Sequence, residues 1–165
     1  CALPISEAIL RLLVWNSESH VVEVLARVAA ANPHIPKSIA WALANDDETP
    51  AAAILEASLV LTDADLIAIV ENCESSSKMS AIARRKAVSA EVSRSLVERG
   101  DENTVSTLLA NTNAVVPEEA TERLQSRFSE SPQVRSAIVA WKERSTSLPA
   151  LPGDRKSTRL NFSHT

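Results

Sequence analysis

Apolar residues recur along this chain at an interval too long for one helix and too regular for accident. Val28, Leu55, Ile82 and Leu109 stand 27 residues apart, and a second series, Leu43, Ile69, Leu96 and Leu124, advances by 26, 27 and 28. Two periodic apolar positions per unit imply two packed helices per unit, and a run of such units builds an all-α, open solenoid. Helices this short cannot hide their own apolar stripes, so neighbouring units must cover them. The chain has 165 residues. That is room for about four helical hairpins in one domain, with a helix before and a helix after.

Composition agrees and removes several functions. Alanine carries much of the 45% apolar content, aromatic residues make up 3%, and tyrosine is absent, which suits close helix packing rather than a β core. Gly100 and Gly153 are the two glycines. A Walker A loop, a dinucleotide fingerprint or a nucleophile elbow needs clustered glycines, so none can be written here. The serines have no recognisable base partner, and the expectation is a protein that is not an enzyme and carries no cofactor. His20 and His34 stand in no metal-ligand spacing, and Asp46-Asp47 and Asp63/Asp65 fall where helix caps are expected, so no metal site is expected either. No run of about 18 apolar residues occurs, hence no membrane span is expected. Cys1 and Cys73 do not make a disulfide framework, and a reduced, cytoplasmic setting is the default. Net charge of −4 sets the body as a whole against nucleic-acid phosphates.

Turn chemistry divides the chain. Ser6 caps a first helix to Trp15; a second runs from about His20 to Ala31, with Val21, Val24, Leu25 and Val28 on one face, and Asn32-Pro33 stops it. Pro36 opens the next at a first-turn position, burying Ile39, Leu43 and Trp41. Thr49-Pro50 reads as an N-cap followed by an N1 proline, and Ser131-Pro132 repeats the device. Thr62 or Asp63, Ser89 and Asp101 cap further helices, Pro117 opens another, and Gly100 suits a left-handed residue closing the helix before it. Residues 6–144 thus form the helical-repeat domain, and 145–152, with two prolines, read as a linker. The opening CALPI (1–5) and the closing GDRKSTRLNFSHT (153–165) lack this periodicity and resemble translated sequencing-adapter read-through. The alternative for the closing segment is a natural disordered tail.

Specific strings carry a family resemblance. They are Ala83-Arg84-Arg85, Val97-Glu98-Arg99-Gly100-Asp101 and Leu109-Ala110-Asn111, with Leu43-Ala44-Asn45-Asp46-Asp47 and Leu61-Thr62-Asp63-Ala64-Asp65-Leu66 upstream. Over roughly residues 20 to 142 the chain resembles domain of unknown function 2336, a helical-repeat family found mainly in alphaproteobacteria. The resemblance implies a HEAT-like array and no established activity. It would place a Gly or Pro after Leu109-Ala110-Asn111, where this chain has Thr112 and Asn113.

Charge patterning supplies the candidate site. Residues 49–76 hold Glu56, Asp63, Asp65, Glu71 and Glu74 without a basic residue; residues 77–99 hold Lys78, Arg84, Arg85, Lys86, Arg94 and Arg99 against Glu91 and Glu98. A basic ridge of this kind can take an acidic protein segment or a phosphate, because guanidinium groups bind carboxylate and phosphate bidentately. The alternative is structural: Arg84 and Arg85 bonding acidic groups and helix-terminal carbonyls of neighbouring units. The functional expectation is a scaffold or adaptor that binds an unidentified protein, with nucleic-acid or phosphate binding through the ridge as its alternative.

Overall fold

A computed structural model describes residues 19–30, 32–46 and 48–147, the side chains of 19–23, 25, 48–50 and 147 excepted. Nine helices follow one another among the described residues: α1 (Ser19–Ala30), α2 (Lys37–Asn45), α3 (Glu48–Ala57), α4 (Asp63–Asn72), α5 (Ser76–Ala83), α6 (Ala90–Arg99), α7 (Glu102–Ala110), α8 (Glu118–Arg127) and α9 (Pro132–Ser147). No strand forms among them; Val88 and Ala114 meet in one isolated parallel bridge.

The helices sort into two rows. α1, α3, α5, α7 and α9 pack each against the next, and α4, α6 and α8 do the same beside them, while α2 packs on α3. This explains why the sequence holds two periodic series. Leu55, Ile82 and Leu109 lie fully buried in α3, α5 and α7; Leu43, Ile69, Leu96 and Leu124 lie buried in α2, α4, α6 and α8.

Val28 departs from the series and is 66% exposed, as Val24 is 51% exposed. α1 packs instead through Ala26 and Ala30, which are buried, with Ala29 against the core. Ala26, Ala29 and Ala30 correspond to Ala51, Ile54 and Leu55 of α3, an advance of 25 residues. Val24 and Val28 sit two residues from Ala26 and Ala30, hence on the opposite side of the helix. Trp41 lies at the surface, contrary to its expected burial, whereas Trp141 is half-buried against the core. The helix expected at 6–15, His20's side chain and both chain ends fall outside the described residues; α9 runs to Ser147, into the segment read as a linker.

Several helix starts follow the expected chemistry. Ser75, Ser89, Asp101 and Ser131 accept the backbone N–H of Lys78, Val92, Thr104 and Val134 at 3.4, 3.4, 2.9 and 3.3 Å. Two prolines sit differently. Pro36 is the N-cap of α2 rather than its first helical residue, and α3 begins at Glu48, so Pro50 is its third residue. Both positions are ones where a missing N–H leaves no intrahelical bond unmade.

Gly100 is not left-handed. Its φ of −65° and ψ of 152° are ordinary for any residue, and it is kept for space. A Cβ there would lie 2.5 Å from the Leu96 carbonyl oxygen and 2.9 Å from Thr104 Cγ2. The Leu96 carbonyl also accepts the Gly100 N–H at 2.7 Å, so it cannot retreat without losing a helix-end bond. Gly100→Ala is therefore expected to cost about 1–3 kcal/mol in a urea melt, as overpacking does elsewhere.

The turn with Thr112 and Asn113 needs neither Gly nor Pro, because Asn111 holds it. Asn111 Oδ1 accepts the Asn113 N–H at 3.0 Å, while its Nδ2 donates to the carbonyls of Ala83 and Arg85 at 2.8 and 2.7 Å. One side chain closes its own turn and satisfies the end of α5.

Two carboxylates tie elements together and lend the fold a pH dependence. Asp65 accepts from the Thr62 N–H and hydroxyl at 2.8 and 2.6 Å and from Lys37 at 2.8 Å; Asp101 accepts from Thr104 and, across the row, from the Ser76 hydroxyl at 2.6 Å. Burial pushes both carboxyls up, but the donors around Asp65 (Lys37, Thr62) and Asp101 (Ser76, Thr104) outweigh it and hold both below the ordinary value. A depressed carboxyl stabilises the fold above its unfolded pKa, near 3.9, and that contribution disappears as pH falls through the folded value. Melting temperature should therefore fall below pH of about 4, and less steeply in an Asp65→Asn/Asp101→Asn protein. Equal acid limbs in thermal melts would contradict this.

Candidate functional site: a groove across the second helix row

The six basic residues singled out from the sequence part into two groups. Lys78 Nζ donates to the Asp46 carbonyl at 2.7 Å, beyond the end of α2. Arg84 pairs with Glu56 at 3.1 Å, and Arg94 lies 3.8 Å from Glu119. Arg85 reaches furthest inward, donating to the Leu55 carbonyl at 2.5 Å and to the Ser58 carbonyl at 2.6 Å. Burial pushes its guanidinium pKa down, with Asp63 opposing, but an arginine keeps its charge. Lys86 and Arg99 are exposed.

These arginine contacts belong to a ladder. The last carbonyls of a helix lack intrahelical donors and carry the negative end of its dipole, so cations are favoured there. Arg85 serves the end of α3, Arg127 donates to Val97 near the end of α6 at 2.7 Å, and Arg144 donates to Leu109 and Ala110 at the end of α7. In each case the donor lies one unit further along the chain. Arg85 thus makes helix-end carbonyl contacts and Arg84 a carboxylate contact with the neighbouring unit, the contacts that the structural alternative describes.

The second row presents a different surface. A groove of about 840 Å³ opens across α4, α6 and α8, lined by Glu71, Ser95, Glu98, Arg99, Arg123, Ser126 and Arg127. Of the six sequence candidates only Arg99 lines it. A smaller hollow of about 200 Å³ between α6 and α8 shares Glu98 and Arg123 with it and adds Arg94 and Glu119. Arg127 is held by Val97 and lies 4.9 Å over the Phe128 ring, a cation–π distance. The side chains of Glu71, Glu98, Arg99 and Arg123 form no hydrogen bond or ion pair with the described residues.

Arg123, Arg127, Ser95, Ser126, Glu71 and Glu98 are not among the candidates that charge patterning supplies, yet the second apolar series carries their signal. Ser95 and Arg123 precede Leu96 and Leu124 by one; Glu71, Glu98 and Ser126 follow their series residue by two; Arg99 and Arg127 follow by three. Positions −1, +2 and +3 share one side of a helix, so the groove is a repeated stripe beside the buried one.

A family model described as an uncharacterised protein conserved in bacteria (DUF2336) matches residues 51–148. The chain belongs to DUF2336. The span of the DUF2336 match takes in every residue lining the groove, while α1 and α2 precede it, so it begins later than the resemblance read from residue 20. No curated protein and no solved structure matches this DUF2336 chain significantly. Among its described residues no helix is long and apolar enough to cross a membrane.

Proposed function

We propose that this chain is an open solenoid of about four HEAT-like hairpins that acts as a non-catalytic protein-binding module, a scaffold or adaptor in the cytoplasm. The observation that carries the reading is the groove across α4, α6 and α8, about 840 Å³ in volume, in whose walls Glu71, Glu98, Arg99 and Arg123 bond to nothing among the described residues. Stacked helix rows present such side chains in register along a rigid surface, which suits a segment of another protein. Two glutamates in the groove and the net charge of −4 favour a protein over a nucleic acid.

The test is site-directed photo-crosslinking in bacterial lysate. A photoreactive residue replacing Ser95 in the groove is compared with one replacing Ser136, exposed on α9. A protein captured from position 95 and not from 136 supports the reading. Identical capture from both, or none, removes it.

A further inference from the structure

Resting on that protein-binding reading, we propose that the groove selects an acidic segment of its partner, whose carboxylates dock on Arg99 and Arg123. The fold divides its arginines by employment. Arg84, Arg85, Arg127 and Arg144 each bond to the fold's own carbonyls or carboxylates. Arg99 and Arg123 bond to nothing among the described residues, although Glu71 and Glu98 line the same groove. Exposed guanidinium groups in a cleft, unmatched by the carboxylates beside them, are donors waiting for external acceptors, and carboxylates accept them bidentately.

Position supports the same assignment. Arg99 ends α6 and Arg123 lies within α8, so the two stand on neighbouring helices of one row, and a ligand touching both must run across the row. Ser95 and Ser126 add short side chains to the same lining. Arg127, fixed by Val97, adds a third positive charge to the lining. Glu71 and Glu98 oppose purely anionic ligands and favour a segment in which acidic residues are interrupted by neutral or basic ones.

The probe is a short fluorescein-labelled peptide of alternating glutamate and alanine, followed by fluorescence anisotropy at low salt with the whole chain. A lysine–alanine peptide and a DNA duplex of similar length serve as comparison ligands. The glutamate peptide should bind, weaken with added salt, and lose roughly tenfold or more in affinity with Arg99→Gln/Arg123→Gln. Arg135→Gln/Lys142→Gln, which removes equal charge from α9, should leave it unchanged. Both variants alter exposed side chains, and unchanged melting temperatures would confirm that the fold is intact. Equal losses in the two variants, preference for the lysine peptide or the duplex, or no binding by the native chain would overturn the proposal. A partner crosslinked at position 95 while the glutamate peptide fails would sink only the acidic assignment; failure of the crosslink itself would remove the reading beneath it.

Discussion

Leu109→Ala should lower the unfolding free energy by about 3–4 kcal/mol, while Val28→Ala should change it by less than about 0.5. The two residues are equivalent in the 27-residue series and opposite in environment. Leu109 is fully buried in α7, which packs against both α5 and α9. Truncation there removes apolar burial and leaves a cavity between units that relax only partly. Val28 is 66% exposed, so its truncation removes little. Urea unfolding followed by far-ultraviolet circular dichroism separates the cases. Comparable losses at both positions would mean that the first unit keeps the 27-residue register and that α1 packs through its valines.

Arg85→Leu should cost about 2–4 kcal/mol, and Arg85→Lys should recover less than half of that. The guanidinium meets two carbonyls at once, those of Leu55 and Ser58. A leucine leaves these partly buried acceptors unsatisfied, and a buried acceptor without a donor loses its hydration with no return. A lysine ammonium is a point charge on a flexible stem and cannot reproduce the planar fork. The Arg85 carbonyl also accepts Asn111 Nδ2, so displacement of this segment would pass to the next unit. Arg84→Leu is the internal comparison. Its pair with Glu56 is about half exposed on both sides and should contribute little. Similar losses at positions 84 and 85 in the same urea melts would show that burial does not separate the two arginines.

The helical class and the sorting of helices into rows were legible because both rest on periodic burial. Val28 and Leu43 apart, one apolar series maps onto the first row and the other onto the second, and Leu55, Ile82, Leu96 and Leu124 landed in the core as their spacing required. Local exceptions came from contacts that periodicity does not encode. Val28 fell outside the core because the step from α1 to α3 is 25 residues, a shift set by alanines that any helix face can hold. Gly100 was legible as a needed glycine but not for its reason: the constraint is the Thr104 side chain and the Leu96 carbonyl pressing on the same point. Asn111 was visible as a motif residue, yet its service to Ala83 and Arg85 spans 28 and 26 residues and depends on the stacking itself.

Of the residues lining the groove, only Arg99 was singled out from the sequence. A run of basic residues between 78 and 99 was plain, but charge counted along a chain does not say which charges the fold consumes. Arg85 and Arg99 look alike in sequence. One meets carbonyls of the previous unit and the other opens into a groove.

That division of arginines is tested most directly by titrating the isotope-labelled chain with the glutamate–alanine peptide and following the arginine side-chain Nε–H resonances by NMR. Arg99 and Arg123 should move together and saturate, while Arg85 and Arg144 stay where they are. Movement of Arg85 with Arg99 and Arg123 still, or uniform drift of every arginine, would contradict it.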